Sequence, residues 1–163
     1  MRRLLMCLFA ALMVGNLQGQ YQKMSNSSSL DLSGFESYLS AGWSKQISHK
    51  YTFTLNGFYF QDEDDLFTTD NFGGNLGFSR WLLRFGNAYV SGGGGGFLAH
   101  TNAESAAGTE ADDLTFGLDL RAEVEYYVAW WFVVYGEVKQ YVFFGSDFFN
   151  SKVVGGGGVK FVF

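Results

Sequence analysis

Charged residues in the last third of this sequence fall at alternate positions. Asp119, Arg121, Glu123 and Glu125 are spaced by two, as are Glu137 and Lys139; Lys152 and Lys160 share one parity of the closing stretch. Period two puts such residues on one face of a β-strand, where two carboxylates could act as a general acid and base. Glu36 joins the same polar set upstream, making five acids and four bases. A set so nearly balanced is read as a structural ion network, Glu36, Asp119, Arg121, Glu123, Glu125, Glu137, Lys139, Lys152 and Lys160, and not as a catalytic pair. Nothing else supplies a nucleophile or a relay. The two histidines, His49 and His100, are predicted at opposite ends of the fold, no G-x-S-x-G elbow occurs, and Cys7 is the one cysteine. No catalytic residue, cofactor or metal ligand is assigned. The acidic run Asp62, Glu63, Asp64, Asp65 reads as solvated loop, with weak Ca²⁺ binding through its oxygens as the alternative.

Two glycine runs, Gly92–Gly96 and Gly155–Gly158, raise the question of a phosphate cradle. A P-loop needs Lys and Ser/Thr after its last glycine at a helix start. Here Val159, Lys160, Phe161, Val162 and Phe163 follow the second run instead. The glycines are therefore packing residues, leaving room for bulky neighbours and for the curvature of a small barrel.

These residues must be positioned by strands. Leu114, Phe116, Leu118, Leu120, Ala122, Val124 and Tyr126 alternate with Thr115, Gly117, Asp119, Arg121, Glu123 and Glu125, an order no amphipathic helix produces. The same alternation runs through 35–45, 51–60, 71–79, 132–142 and 152–163, while 88–100 is a glycine-rich strand whose faces the sequence does not assign. Short connections are expected near 46–50, 80–87 and 127–130, longer polar ones near 61–69, 101–113 and 144–151. Parity of strand direction calls for one more strand between about 20 and 31, which brings the count to eight.

The first 19 residues stand apart. Arg2 and Arg3 precede an apolar run from Leu4 to Val14, and Gly19 offers a small residue for cleavage. This is the layout of a secretory signal peptide, so 1–19 is read as leader and 20–163 as one barrel domain. Loss of the two arginines takes the formal charge from -5 to -7, and an acidic chain argues against direct nucleic-acid binding.

Composition selects the environment. The chain has no proline, 22 glycines and 19% aromatic residues, many of them near predicted strand ends. Tyr and Trp favour the membrane interface. A secreted β-sandwich would alternate too, but its solvated face would not need balanced charge. The reading is all-β: an eight-stranded antiparallel transmembrane β-barrel of the bacterial outer membrane, bathed in outer-membrane lipid. Its lumen is wide enough only for side chains, which disfavours a porin. Phe161 and Phe163 end the last strand, the feature that barrel-assembly machinery commonly recognises.

The stretches "LRAEVEYY" (120–127), Glu137-x-Lys139 followed by Gly145-Ser146, and "VGGGGVKFVF" (154–163) resemble the conjugal transfer protein TraO family of Bacteroidetes conjugative elements. The resemblance implies an outer-membrane component of a mating apparatus, without enzymatic activity, contacting other transfer-apparatus proteins. A small OmpX-like barrel serving envelope integrity or adhesion is the alternative.

Overall fold

The computed structural model describes residues 25–63, 67–105, 110–144 and 150–163. The expected leader lies outside them. Eight strands follow in order: β1 (Ser28–Phe35), β2 (Tyr38–Gln46), β3 (Tyr51–Glu63), β4 (Phe67–Phe85), β5 (Ala88–Ser105), β6 (Glu110–Tyr127), β7 (Phe132–Phe144) and β8 (Ser151–Val162). Each pairs antiparallel with the next, and β8 closes on β1. At the seam the Ser28 N–H donates to the Phe163 carbonyl at 2.9 Å, and the Phe163 N–H to the Ser28 carbonyl at 2.8 Å. Closure leaves no open sheet edge around the barrel wall, as a structure surrounded by lipid requires.

Alternation sorts the side chains as expected. Leu30, Leu55, Leu76, Leu118 and Val138 point outward and are about half exposed, whereas Asp31, Asn56, Asn75, Asp119 and Lys139 are buried inside. A soluble protein would invert that arrangement. Apolar outside and polar inside is the membrane-barrel pattern.

Several boundaries differ from expectation, each for a local reason. The first strand is Ser28–Phe35, and it turns through Glu36 and Ser37 into β2. Glu36 takes a left-handed φ of 49° in that turn and is exposed, so it does not belong to the lumen. The sequence read as one strand across 35–45 is a hairpin, and the two-residue turn is masked by an unbroken polar–apolar rhythm. The expected connection at 80–87 is strand as far as Phe85, with Gly86 at φ 59° in the turn. A register shift between Trp81 and Leu83 leaves Leu82 and Leu83 both exposed, which erases the period-two signal there. The long connections at 61–69 and 101–113 are largely strand. β3, β4, β5 and β6 keep pairing past the rung Tyr38–Phe60–Asn71–Thr101–Asp113, out to Glu63↔Thr68, Phe67↔Ser105 and Glu104↔Glu110. Their polar composition reflects life outside the bilayer, not loop structure.

The turns after β2, β4 and β6 share one end with Ser28 and Phe163, and the other four connections share the opposite end. Short turns mark the periplasmic side of such barrels and long connections the outer side.

Candidate functional site: a lumen sealed in three tiers

The lumen is filled from end to end by side chains of distinct chemistry. Nearest the short turns lies an apolar tier of Tyr89, Tyr127 and Val133, packed with Trp81 and Val162. Trp81 and Tyr89 approach to 4.6 Å between centroids, and Tyr89 meets Tyr127 edge-on at 5.3 Å. The other apolar tier faces the outer end and is mainly aromatic: Tyr38, Phe58, Phe60, Phe97, Tyr141 and Phe143, with Ala99 and Val154. Phe97 stands edge-on to Tyr141 at 5.1 Å and to Phe143 at 5.0 Å, the geometry in which ring edges meet ring faces favourably. Trp81, Phe60, Tyr127 and Phe143, aromatics near strand ends, thus plug the lumen instead of lining the membrane interface. Trp43, Tyr51, Trp130 and Trp131 remain outside the buried core.

Between these tiers lies the ionic layer, and the structure brings together most of the expected residues. The Lys160 ammonium donates to Glu123 Oε1 at 2.7 Å and Glu125 Oε1 at 2.8 Å, and sits 4.5 Å from the centre of the Tyr135 ring. Lys139 donates to Glu137 Oε1 at 3.0 Å and to the Tyr38 hydroxyl at 2.7 Å, while Tyr38 and Ser33 both donate to Glu137. Arg121 donates twice to Asp119 Oδ2, and its Nη1 crosses the lumen to Thr54 Oγ1 at 2.7 Å. Every one of these ions has a partner, as burial demands.

Two expected members lie elsewhere. Glu36 is in the exposed outer turn, as described above. Lys152 faces the right way but stands at the outer rim, partly exposed, where it pairs with Asp62 at 2.5 Å. β8 passes from rim to core in eight residues, so shared parity does not mean shared depth. That pair also bears on the Ca²⁺ alternative: Asp62 is engaged by a lysine, and Asp64 and Asp65 lie outside the described residues.

One ion was missed. Asp31 is buried in the same layer, accepting from Ser29 Oγ at 2.7 Å and from Ser44 Oγ. The signal was present, because Ser29, Asp31 and Ser33 alternate with Leu30 and Leu32. With Asp31 in and Glu36 and Lys152 out, the layer holds Asp31, Asp119, Glu123, Glu125 and Glu137 against Arg121, Lys139 and Lys160. The near balance expected from sequence becomes an acidic excess, and hydroxyl donors make up the difference.

The glycine runs alternate in the same way. A Cβ on inward-facing Gly95 would lie 2.0 Å from the Leu76 carbonyl oxygen, and one on Gly158 2.0 Å from that of Leu32. Their outward neighbours Gly96 and Gly157 would meet nothing closer than 3.7 Å. The tightest approaches are at inward glycines, where curved neighbouring strands come close, although outward Gly94 would also bring a Cβ to 2.7 Å from the Asp119 carbonyl oxygen.

The ionic layer retains a cavity of about 30 Å³, bordered by Asp31, Ser44, Thr54, Arg121, Glu125 and Lys160. That is the size of one or two water molecules. His49 lies in the turn after β2, and His100 near the outer end of β5, edge-on to Phe72 at 5.1 Å. They cannot act together. Among the described residues, no group of three or more His, Cys, Asp or Glu is arranged to hold a metal ion.

A closed antiparallel barrel with a lipid-compatible belt and a hydrogen-bonded interior places this chain in the bacterial outer membrane. No protein-family model and no curated protein matches the sequence. Solved structures do match the fold. The N-terminal β-barrel domain of Pseudomonas aeruginosa OprF aligns with a TM-score of 0.65 at 15% identity, over 86% of this chain and all of that one. Neisserial surface protein A aligns at 0.58 and 12%, over 84% and 94%. Ail, the attachment invasion locus protein of Yersinia pestis, in complex with the heparin analogue sucrose octasulfate, aligns at 0.56 and 13%, over 86% and 100%. In fold, then, this chain is similar to small eight-stranded outer-membrane barrels.

Proposed function

We propose that the protein is a non-enzymatic, non-conducting barrel that anchors an acidic β-sheet on the outer surface, in an OmpX-like role in envelope integrity or adhesion. The observation that carries this is the three-tiered lumen, in which aromatic side chains pack across the outer end and the buried ions are engaged by partners. The extended ends of β3 to β6 are what the barrel presents. Asp62, Asp70, Asp112 and Asp113 lie on them, with Glu36 in the nearby turn, and Lys152 is the one Lys or Arg at that end among the described residues. Ail was solved with a polyanion; the outer end here would repel one and suits a cationic or cation-bridged partner. The test is reconstitution into planar bilayers, where no stepwise conductance is expected, followed by adhesion and envelope-permeability assays on a deletion strain. Steady channel steps from the intact protein would overturn the proposal.

A second reading is favoured by the resemblance in 120–127, 137–146 and 154–163: a structural component of a conjugative transfer apparatus. An in-frame deletion with plasmid complementation tests it. Loss of transfer restored by the plasmid supports this role, and unchanged transfer leaves the envelope role. Under either reading assembly is expected to use β8, whose Phe161 and Phe163 are substantially exposed on the outside and available to assembly machinery. Phe163→Ala is then expected to lower the folded fraction in cells but not refolding from urea.

A further inference from the structure

We propose that a recess at the periplasmic end of β4 binds the phosphate of a phospholipid of the inner-facing leaflet. β4 outruns its neighbour β3. Arg80 is still paired with Tyr51, and the Trp81 N–H donates to the Lys50 carbonyl at 3.0 Å. Beyond that point β4 pairs with β5 alone. The step so formed is a recess of about 200 Å³ lined by Lys50, Arg80, Trp81, Leu82, Leu83 and Arg84.

Every polar side chain lining it is a hydrogen-bond donor, and three carry positive charge. None of the three is paired with a carboxylate among the described residues. Arg80 lies 5.7 Å from the Tyr51 ring centre. Arg84 lies 5.4 Å from that of Tyr89 and donates from Nε to the Gly86 carbonyl at 3.1 Å. Its Nη2 is buried without an acceptor, and so is Trp81 Nε1. Lys50 and Arg80, both exposed, with Arg84 beside them, call for an anion with several acceptor oxygens. A phosphate suits them, because guanidinium groups grip its oxygens in pairs.

The walls say which kind of phosphate. The register shift turns Leu82 and Leu83 outward, 61% and 54% exposed, with Tyr51 and Phe85 also exposed nearby. A free anion has no use for that apolar flank, whereas a phospholipid lays its acyl chains along it. The charge distribution agrees. Outside the lumen, Lys45, Lys50, Arg80 and Arg84 all stand at this end, and no described Asp or Glu accompanies them. Basic residues at this depth meet the headgroup layer directly. The inference rests on the barrel's place in the membrane and not on which cellular role it serves.

The experiment is native mass spectrometry of the full barrel in neutral detergent, titrated with phosphatidylglycerol. The Lys50→Gln, Arg80→Gln pair is the principal variant, since both side chains are exposed and outside the lumen packing. Lys45→Gln, at the same end but outside the recess, is the control. Each protein is first shown to be folded by its faster migration when unheated on a denaturing gel. Wild type is expected to hold one lipid per barrel, and the pair to weaken it about tenfold to thirtyfold. The control should bind as wild type does, and equimolar inorganic phosphate should not compete. Equal loss in the control would reduce the effect to diffuse charge and overturn the site. Retention of lipid by the pair would do the same, and effective competition by inorganic phosphate would make it a free-anion site.

Discussion

Lys139 shows what holds the lumen together at the scale of a residue. Its ammonium is buried between Glu137 and the Tyr38 hydroxyl, so removing it strands a carboxylate inside the barrel. Lys139→Met is expected to cost about 3–5 kcal/mol, the usual penalty for orphaning one member of a buried pair. Adding Glu137→Gln should recover much of that loss. Urea titrations of the refolded barrel check this, and a single change costing under about 1 kcal/mol would mean that the pair is solvated. The glycines give a second contrast. Gly95→Ala drives a Cβ into the Leu76 carbonyl and should cost about 1–3 kcal/mol, as overpacking does. A Cβ on Gly57 would meet nothing closer than 3.8 Å, so Gly57→Ala should stay within about 0.5 kcal/mol.

Among the elements, the hairpin of β5 and β6 carries the clearest test. Its last rungs, from Asn102↔Asp112 to Glu104↔Glu110, lie beyond the outer turn of β1 and β2. Replacing 103–111 by Asn-Gly, the dipeptide suited to a two-residue hairpin turn, should leave a folded barrel with stability within about 1 kcal/mol. Failure to assemble would make the protruding sheet part of the folding core. This scale also shows what was legible beforehand. β6 and β8 could be read residue by residue, since both of their faces are constrained, one by lipid and the other by packed charge. β1 could not be placed, because Ser-rich polar positions look like linker until Leu30 and Leu32 are set against them. The protruding strands were invisible as strands, since outside the bilayer nothing forces alternation. The ionic layer was legible as a face but not as a depth, which is why Lys152 and Glu36 were grouped with residues they do not meet. The recess on β4 depends on a register shift and on unequal strand lengths, and neither leaves a periodic trace.

For the whole molecule, sealing is redundant. The outer aromatic tier, the ionic layer and the inner apolar tier, the last set against buried Ser29, Gln46 and Thr52, are stacked along the lumen, so opening one leaves the other two in place. Phe97→Ala with Tyr141→Ala should destabilise the protein by several kcal/mol, given about 3–5 for each large aromatic, yet produce no conductance in planar bilayers. Channel activity in that variant would show that the charged layer below it is permeable.

Acidic groups at one end and basic groups at the other give the barrel a lengthwise electrical polarity. Every copy inserted in the same direction presents like ends to its neighbours in the membrane plane. Within a Debye length of about 8–10 Å such copies repel sideways, which favours dispersal over patches. A divalent cation in the surrounding medium, bridging acidic heads, would relax that spacing and draw the copies together.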